Sequence, residues 1–255
     1  LYIDVEEGSL VKFHKDGLVK FNRVHGLQLG MKSELRNDFW GSKSYFSFGY
    51  GFSSEIWNYQ FGVEQSLFKN NKSTFGAEIH KLTDTNDYEL ISEAENFIAE
   101  AILGEAYMDY YQREGYELKF NQNIFSFINA GIKYRDDEYT SLMKTNDWSL
   151  LNRSYRNGDI EEEKYKRDNP PIDDGRMKSI IGEFIIDTRN SKENLPISGW
   201  MNTFSIERAG GGFGGDFDFT IYQANIRNYN RLSENQFIFL RMKMAVSDRE
   251  LPSQR

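Results

Sequence analysis

The sequence contains no cysteine, only three histidines and no long apolar run, and each shortage excludes a class of protein or site. Without cysteine among the 255 residues there is no disulfide framework and no thiolate metal site. His14, His25 and His80 do not have the H-x-x-x-H or H-x-H spacing of a metal site, so we predict neither a metal nor another cofactor. No apolar run reaches the roughly 18 residues of a membrane-spanning helix. The net charge of −8 argues against nucleic acid as a partner.

Aromatic residues, by contrast, make up 15% of the chain, and in the stretch 44–52, SYFSFGYGF, they occupy every second position from 46. Successive side chains of a strand point to opposite faces, so one face of this strand is aromatic and the other carries mainly serine and glycine. A soluble sheet places charged residues on its wet face, whereas a membrane barrel turns its apolar face to lipid and its polar face to a watery lumen. The next stretch, EIWNYQFGVEQSLF at residues 55–68, alternates in the same way from Trp57. We therefore predict that these side chains face lipid: Phe46, Phe48, Tyr50, Phe52, Trp57, Tyr59 and Phe61.

The alternation recurs along the chain and indicates about eleven strands of roughly 9 to 13 residues, longer than the usual 5 or 6. A tilted strand needs about 9 to 11 residues to cross a bilayer. The first predicted strand is LYIDVEEGSLVKF, residues 1–13. These features predict an all-β fold, an antiparallel transmembrane β-barrel domain that occupies residues 1–255. A soluble antiparallel sheet with a shared aromatic core is the alternative that alternation alone leaves open.

One predicted helix interrupts this pattern. Ser92 and Glu95 have the spacing of a capping box, and a short apolar stripe from Phe97 to Ile102 follows them. Gly115 stands where a glycine would end the helix. We predict one loop helix near residues 92–112, which lies in or over a loop and does not span a membrane.

One connection is long and charged, residues 136–177, and contains the adjacent Pro170 and Pro171. In a compact soluble domain such a loop counts against the strand assignment, but an outer-membrane barrel is expected to carry loops of this kind on its extracellular side. We predict that the helix carboxylates, Glu100 among them, and the charged run 161–168 are solvated. The glycine-rich stretch 209–218 precedes a strand rather than a helix, so we interpret it as a loop and not as a phosphate site.

Three segments resemble the bacterial surface antigen family, the BamA/TamA-type outer-membrane assembly superfamily. FNRVHGLQLG, residues 21–30, resembles the N-R-V-x-G-L-x-L-G signature that opens many such barrels. ENFIAEAILGEAYMDYYQREGYEL, residues 95–118, resembles a segment of a subgroup in which the barrel follows a carboxypeptidase-regulatory-like domain. IIDTRNSKENLPISGW, residues 185–200, resembles the superfamily's D-x-R, P-x-x-G-W element. The matching positions that we take as structural are Asn22, Arg23, Gly26, Asp109, Tyr110, Tyr111, Arg113, Gly115, Asp187, Arg189, Pro196, Gly199 and Trp200.

The resemblance implies a bacterial outer-membrane protein that is not an enzyme and assists insertion or translocation of other proteins. Its barrel would have sixteen strands, of which this chain would supply about eleven and end before the conserved sixth loop. Its partners would be outer-membrane lipid, client β-barrel or secreted proteins, and periplasmic or lipoprotein accessory subunits. A yielding seam strand within residues 1–13 could pair with an incoming strand. A passive pore or receptor and the membrane anchor of an upstream hydrolase are the alternatives.

No residue is predicted to be catalytic. Asp187 and Arg189 lie two positions apart at a strand end, so they share one side of the strand. We interpret them as a salt bridge that fixes a turn.

Overall fold

A computed structural model of the chain describes residues 2–6, 9–14, 19–37, 39–67, 72–151, 153–156, 159–163, 165–190, 198–233 and 235–255. It describes the backbone of β1, β2, β10 and β11 and both backbone and side chains of the other elements. The strands are β1 Tyr2–Glu6, β2 Ser9–His14, β3 Val19–Asn22, β4 Gly26–Asn37, β5 Ser42–Gly51, β6 Ile56–Ser66, β7 Ser73–Asp84, β8 Tyr111–Phe125, β9 Ile128–Ser141, β10 Arg153–Arg156, β11 Asp159–Glu163, β12 Gly175–Asp187, β13 Gly199–Ala209, β14 Phe219–Arg231 and β15 Phe237–Ser247. The helix is α1 Glu93–Ile98, with 3₁₀ turns at Asp87–Glu89 and Gly211–Phe213.

Thirteen of the described strands form one antiparallel sheet. Its order follows the chain from β1 to β15, except that β2 and β3 both pair with β4 and that β9 pairs with β12, because β10 and β11 form a separate hairpin. Within the described residues β1 and β15 each pair on one side alone, so the sheet is not closed. The prediction of an all-β, antiparallel chain with one short helix is confirmed.

The pairing register separates two chemically different faces. Phe46 lies opposite Phe61, and Phe48 lies opposite Tyr59, so large rings from neighbouring strands stand side by side. We call this side of the sheet the aromatic face. Of the seven aromatic side chains predicted to face lipid, Tyr50 is half-buried and the other six are exposed.

The opposite side, which we call the polar face, holds side chains that are buried although they are polar or charged. They include Asn58, His80, Glu117, Asp137, Ser179 and Glu207. His80 is fully buried, with its two ring nitrogens 2.9 Å from a Glu78 oxygen and 3.0 Å from an Asp137 oxygen. Burial of charge is costly unless each group has a partner, and here Glu78 comes from the same strand as His80 and Asp137 from the next strand but one. The usual soluble arrangement is therefore inverted, with apolar rings exposed and charges buried.

The two ends of the sheet also differ. At one end, the turn rim, short connections join the strands, such as 38–41, 67–72 and 126–127. At the other end, the lid rim, the connections include 85–110 and 142–174. Two long connections on the same end can meet each other above the polar face.

The predicted helix is shorter than 92–112. Its capping box is confirmed, because Glu95 N donates to Ser92 Oγ and Ser92 N donates to a Glu95 carboxylate oxygen. Helix α1 continues as a π-helical turn, Ala99–Leu103, and ends at Gly104, whose φ of 74° is left-handed. The prediction that Gly115 ends the helix is wrong, because that residue lies inside β8. Gly104 stops the helix first because a glycine adopts the left-handed region without a Cβ clash.

Two other predicted boundaries change. The single first strand over 1–13 is wrong, because β1 and β2 form a hairpin in which Tyr2 lies opposite Lys12. The polar stretch DVEEGS does not interrupt the alternation clearly enough to indicate that two strands are present. The long loop 136–177 is shorter at both ends, because β9 runs to Ser141 and β12 begins at Gly175.

Gly115 provides a test of how closely β8 and β9 pack. A Cβ at this position would lie 2.1 Å from the Asp136 carbonyl oxygen and 2.4 Å from an Asp137 carboxylate oxygen. We expect Gly115→Ala to lose about 1–3 kcal/mol of stability through overpacking, a fall in melting temperature of roughly 2–12 °C by circular dichroism.

The matched control is Gly182→Ala in β12, where the new Cβ would meet a single atom at 3.4 Å. We expect its melting temperature to stay close to the wild-type value. Equal melting temperatures for the two variants would show that the close approach at Gly115 is absent.

Candidate functional site

Loops from the lid rim lie over the polar face. We call residues 85–110, 142–151 and 165–174 the lid. Glu89 of the lid accepts hydrogen bonds from Arg241 Nη2 at 3.0 Å and from Lys243 Nζ at 3.1 Å. Glu89 follows β7, whereas both cations lie on β15, six strand pairings away in the sheet. The sheet must therefore curve strongly around its polar face.

The turn between β3 and β4 places an arginine under the lid. Asn22 Oδ1 accepts from the backbone N–H of Val24 at 3.0 Å and of His25 at 2.7 Å, which fixes the turn by an Asx-type arrangement. Arg23 is fully buried there and forms an ion pair with Asp109. Its Nη2 also donates to the Met108 carbonyl oxygen at 2.8 Å.

Asn169 completes this network from the other lid segment. Its Oδ1 accepts from Arg23 Nη2 at 3.0 Å and from Tyr110 N at 2.9 Å. Its Nδ2 donates to the carbonyl oxygens of Tyr110 at 2.7 Å and of Leu142 at 2.6 Å. One buried amide thus joins the turn between β3 and β4 to both long connections. Sequence analysis did not find Asn169, because its only local signal is the Pro170 that follows.

A buried ion pair lies deeper in the lid. Glu100 and Lys166 are both fully buried, with Lys166 Nζ 4.0 Å from a Glu100 carboxylate oxygen and 4.5 Å from the centre of the Phe21 ring. Burial raises the pKa of Glu100 and lowers the pKa of Lys166. The prediction that Glu100 and the run 161–168 are solvated is wrong for these two residues. The lid packs both of them inward, which the local charge pattern does not reveal.

His25 is buried in the same turn among hydroxyl groups. Its Nδ1 lies 2.6 Å from Ser54 Oγ and its Nε2 lies 2.7 Å from Thr83 Oγ1. Burial, with a smaller contribution from Lys20, lowers the pKa of His25 to about 4. The ring is therefore neutral at pH 7 and a weak base, so its contact with Ser54 holds the turn in place rather than activating a nucleophile.

In the described parts of the chain, no group of three or more His, Asp or Glu side chains could hold a metal ion. No helix among these residues combines the length and the apolar character needed to cross a membrane.

The structure divides the residues of the three resembling segments into two groups. Asn22 and Arg23, in the turn that Gly26 ends with φ +58°, meet two residues of the lid: Arg23 contacts Asp109 directly and Tyr110 through Asn169. The continuation of the second segment lies on β8, where Arg113 pairs with Asp84 and Asp137, Tyr111 packs on Tyr139, and Gly115 lies opposite Asp137.

The third segment lies at the turn rim, away from the lid. Arg189 donates to both carboxylate oxygens of Asp187, at 2.8 and 2.6 Å, which is the expected strand-end pair. Gly199 has a φ of +126° at the start of β13, and Trp200 beside it is exposed on the aromatic face. Pro196 lies outside the described residues.

The buried amide of Asn169 can be tested by removal. Asn169→Ala leaves the Tyr110 and Leu142 carbonyl oxygens without their donor, at about 1–3 kcal/mol for each buried unsatisfied group. We expect the lid to open at least about tenfold more often, measured as faster cleavage of residues 85–110 in limited proteolysis. Asn190→Ala, at an exposed position on the turn rim, is the control and should leave the cleavage rate unchanged. An Asn169→Ala variant cleaved at the wild-type rate would contradict this role.

Comparison with known proteins gives a family. Residues 7–244 match the model of a family of unknown function (DUF5686), C-terminal domain. No curated protein matches the chain. The match covers most of the chain and includes the lid and all of the sheet except β1 and the last residues of β15. The chain therefore belongs to the DUF5686 family, as its C-terminal domain.

Proposed function

We propose that this chain is the larger part of the wall of a bacterial outer-membrane β-barrel of the surface-antigen type, which assists insertion or translocation of other proteins. The observation that carries the proposal is the inverted sheet. Apolar rings such as Phe48 and Phe61 are about half exposed on one face, while Asp137 and Glu207 are buried on the other. Lipid outside and a watery, charged lumen inside account for both faces at once.

The dimensions of the sheet support this proposal. The ten long strands, β4–β9 and β12–β15, have 10 to 15 residues each, enough to cross a bilayer at a tilt. Every strand of a lipid-exposed sheet must be paired, so the proposed barrel closes with strands beyond those described here. The resemblance to the surface antigen family implies sixteen.

The borders of the aromatic face also support it. Ring pairs stand at both ends: Tyr50 with Trp57 near the lid rim and Phe125 with Phe127 at the turn rim. Membrane barrels carry such aromatic girdles where the hydrocarbon meets the headgroups. Beyond the girdle at the lid rim, charged pairs follow at positions of the same face. The pairs are Lys81–Glu114, Arg176–Asp136 and Arg208–Asp218.

The unequal rims give the proposed barrel an orientation. Outer-membrane barrels have short periplasmic turns and longer extracellular loops. The turn rim would therefore face the periplasm, and the lid would cover the outer end of the lumen. A covered lumen favours an assembly protein over a passive pore.

The seam of the proposed barrel would include β1, which among the described residues pairs with β2 alone. An incoming strand could pair with such an edge by β-augmentation. Client β-barrel or secreted proteins, outer-membrane lipid and periplasmic or lipoprotein accessory subunits would be the partners.

The absence of cysteine makes the membrane part of the proposal testable by labelling. We expect Phe48→Cys and Phe61→Cys in bilayers to resist a membrane-impermeant maleimide and to react after denaturation, because lipid covers the aromatic face. Gln60→Cys, on the polar face of the same strand as Phe61, is the matched control and should react in both states through lumen water. Equal labelling of Phe61→Cys and Gln60→Cys in bilayers would rule out a lipid-facing aromatic side.

The assembly part needs a client. We expect liposomes that contain the full-length protein to speed the folding of a urea-denatured outer-membrane barrel several-fold over empty liposomes, measured by protection from protease. The same measurement with the Asn169→Ala variant distinguishes the lid from the wall: a changed folding rate assigns a role to the lid, and an unchanged rate assigns the effect to the wall. An unchanged folding rate together with a steady open conductance in planar bilayers would favour the passive pore instead.

A further inference from the structure

The last two strands carry an unbalanced positive charge on the polar face. Neither β14 nor β15 contains Asp or Glu, in a chain whose net charge is −8. Their bases occupy positions of the polar face and are Arg227, Arg231, Arg241 and Lys243. We call this group the cation stripe.

Two members of the cation stripe lie directly opposite each other. Arg227 of β14 pairs with Arg241 of β15 in the register, and like charges at such a position destabilise a sheet. Arg241 has a counter-ion, since Glu89 accepts from it and from Lys243. Arg227 contacts only uncharged partners within the described residues, Asn225 Oδ1 at 3.4 Å and Met201 Sδ at 3.9 Å. Of the two opposed arginines, Arg241 therefore has an acidic counter-ion and Arg227 has none among the described residues.

Aromatic side chains continue the stripe toward the turn rim. Tyr229 and Phe239 stack with ring centres 4.9 Å apart, and the Arg189 guanidinium lies 5.5 Å from the centre of the Tyr229 ring. Phe239 and Phe237 are 47% and 65% exposed, although they lie on the polar face. Arginine with exposed aromatic residues is the composition typical of protein interfaces.

We propose that the cation stripe and the rings beside it bind an extended acidic polypeptide segment that also carries apolar side chains. This inference deepens the proposed function. It rests on that function in one respect, because an assembly barrel is what would bring such a segment into the lumen from the turn rim. Alternate side chains of an extended chain repeat every ~6.7 Å, which is also the spacing of Arg241 and Lys243 along β15. Alternating carboxylates therefore match the cations, and apolar side chains of the same segment match Phe237 and Phe239.

The chain itself shows that a carboxylate fits this surface. Glu89 binds two of the four cations of the stripe, one through each of its carboxylate oxygens. An acidic segment would extend the same contact to Arg227 and Arg231, and would compete with Glu89 for Arg241. Binding at this surface is thus coupled to the lid.

The test uses the full chain in nanodiscs and a fluorescent twelve-residue peptide of alternating Glu and Val with one Phe, followed by anisotropy. We expect Arg227→Glu to weaken binding at least about tenfold and Arg227→Lys to change it less than about threefold, because charge complementarity sets the contact. Lys32→Glu, an exposed lysine on the polar face of β4, is the matched control and should bind as the wild type does. Binding should also fall with rising salt.

A second variant acts in the opposite direction. Glu89→Gln releases Arg241 and Lys243, so we expect it to bind the peptide a few-fold more tightly, which a misfolded variant would not do. Wild-type affinity in Arg227→Glu, or equal weakening in Lys32→Glu, would overturn the proposal. So would equal binding of a peptide with Lys in place of Glu.

The labelling experiment separates this inference from the proposed function. If Phe61→Cys is protected in bilayers and the acidic peptide does not bind, the docking surface is refuted and the barrel wall stands. If the peptide binds and Phe61→Cys is not protected, the barrel wall is refuted and the docking surface stands.

Discussion

The register of the antiparallel sheet is the constraint on which the other features depend. Phe48 stands opposite Tyr59 and Ser47 opposite Gln60, so in this part of the sheet rings pair with rings and polar groups with polar groups. A slip of one residue in any strand would bring its rings to the buried polar face and its charges to the exposed side. The ion pairs of the polar face, such as that of Arg113 with Asp137, form only in this register. Two chemically different faces therefore define most of this fold, and a buried apolar cluster lies at the lid rim: Tyr111, Tyr139, Met177, Ala209, Phe219 and Ile221.

The position of the lid depends on the same register, but buried hydrogen bonds and ion pairs hold the lid in place. Arg23, Asp109 and Asn169 come from three distant parts of the chain and meet because β3, β8 and β9 end at the same rim. Each is held by hydrogen bonds that are strong when buried and costly when broken. The lid in turn contacts β15 through Glu89, at the far end of the described sheet. A polar contact thus links the lid to the cations for which we propose an acidic partner.

The differences between expectation and structure have one physical origin. Alternation and the capping box are local, so the long strands and the start of α1 could be predicted from neighbouring residues. The end of α1 was misplaced because two glycines were available and only Gly104 lies where the left-handed turn is needed. Glu100 looked solvated as one of several carboxylates on the helix, and Lys166 as part of a charged run, yet the lid buries them together. Asn169 had no signal beyond the Pro170 that follows it, since its three partner residues lie far from it in sequence.

The sequence by itself determined the all-β class, the long alternating strands and the separation of aromatic from polar side chains, because a period of two is fixed by strand geometry. Tertiary structure decided which residues meet under the lid and which cations on β14 and β15 lie opposite one another. Those contacts depend on strand order, on curvature and on the path of long loops, none of which leaves a periodic trace in the chain. For this reason the turn around Arg23 was recognisable as a motif, but its partners were visible only in the fold.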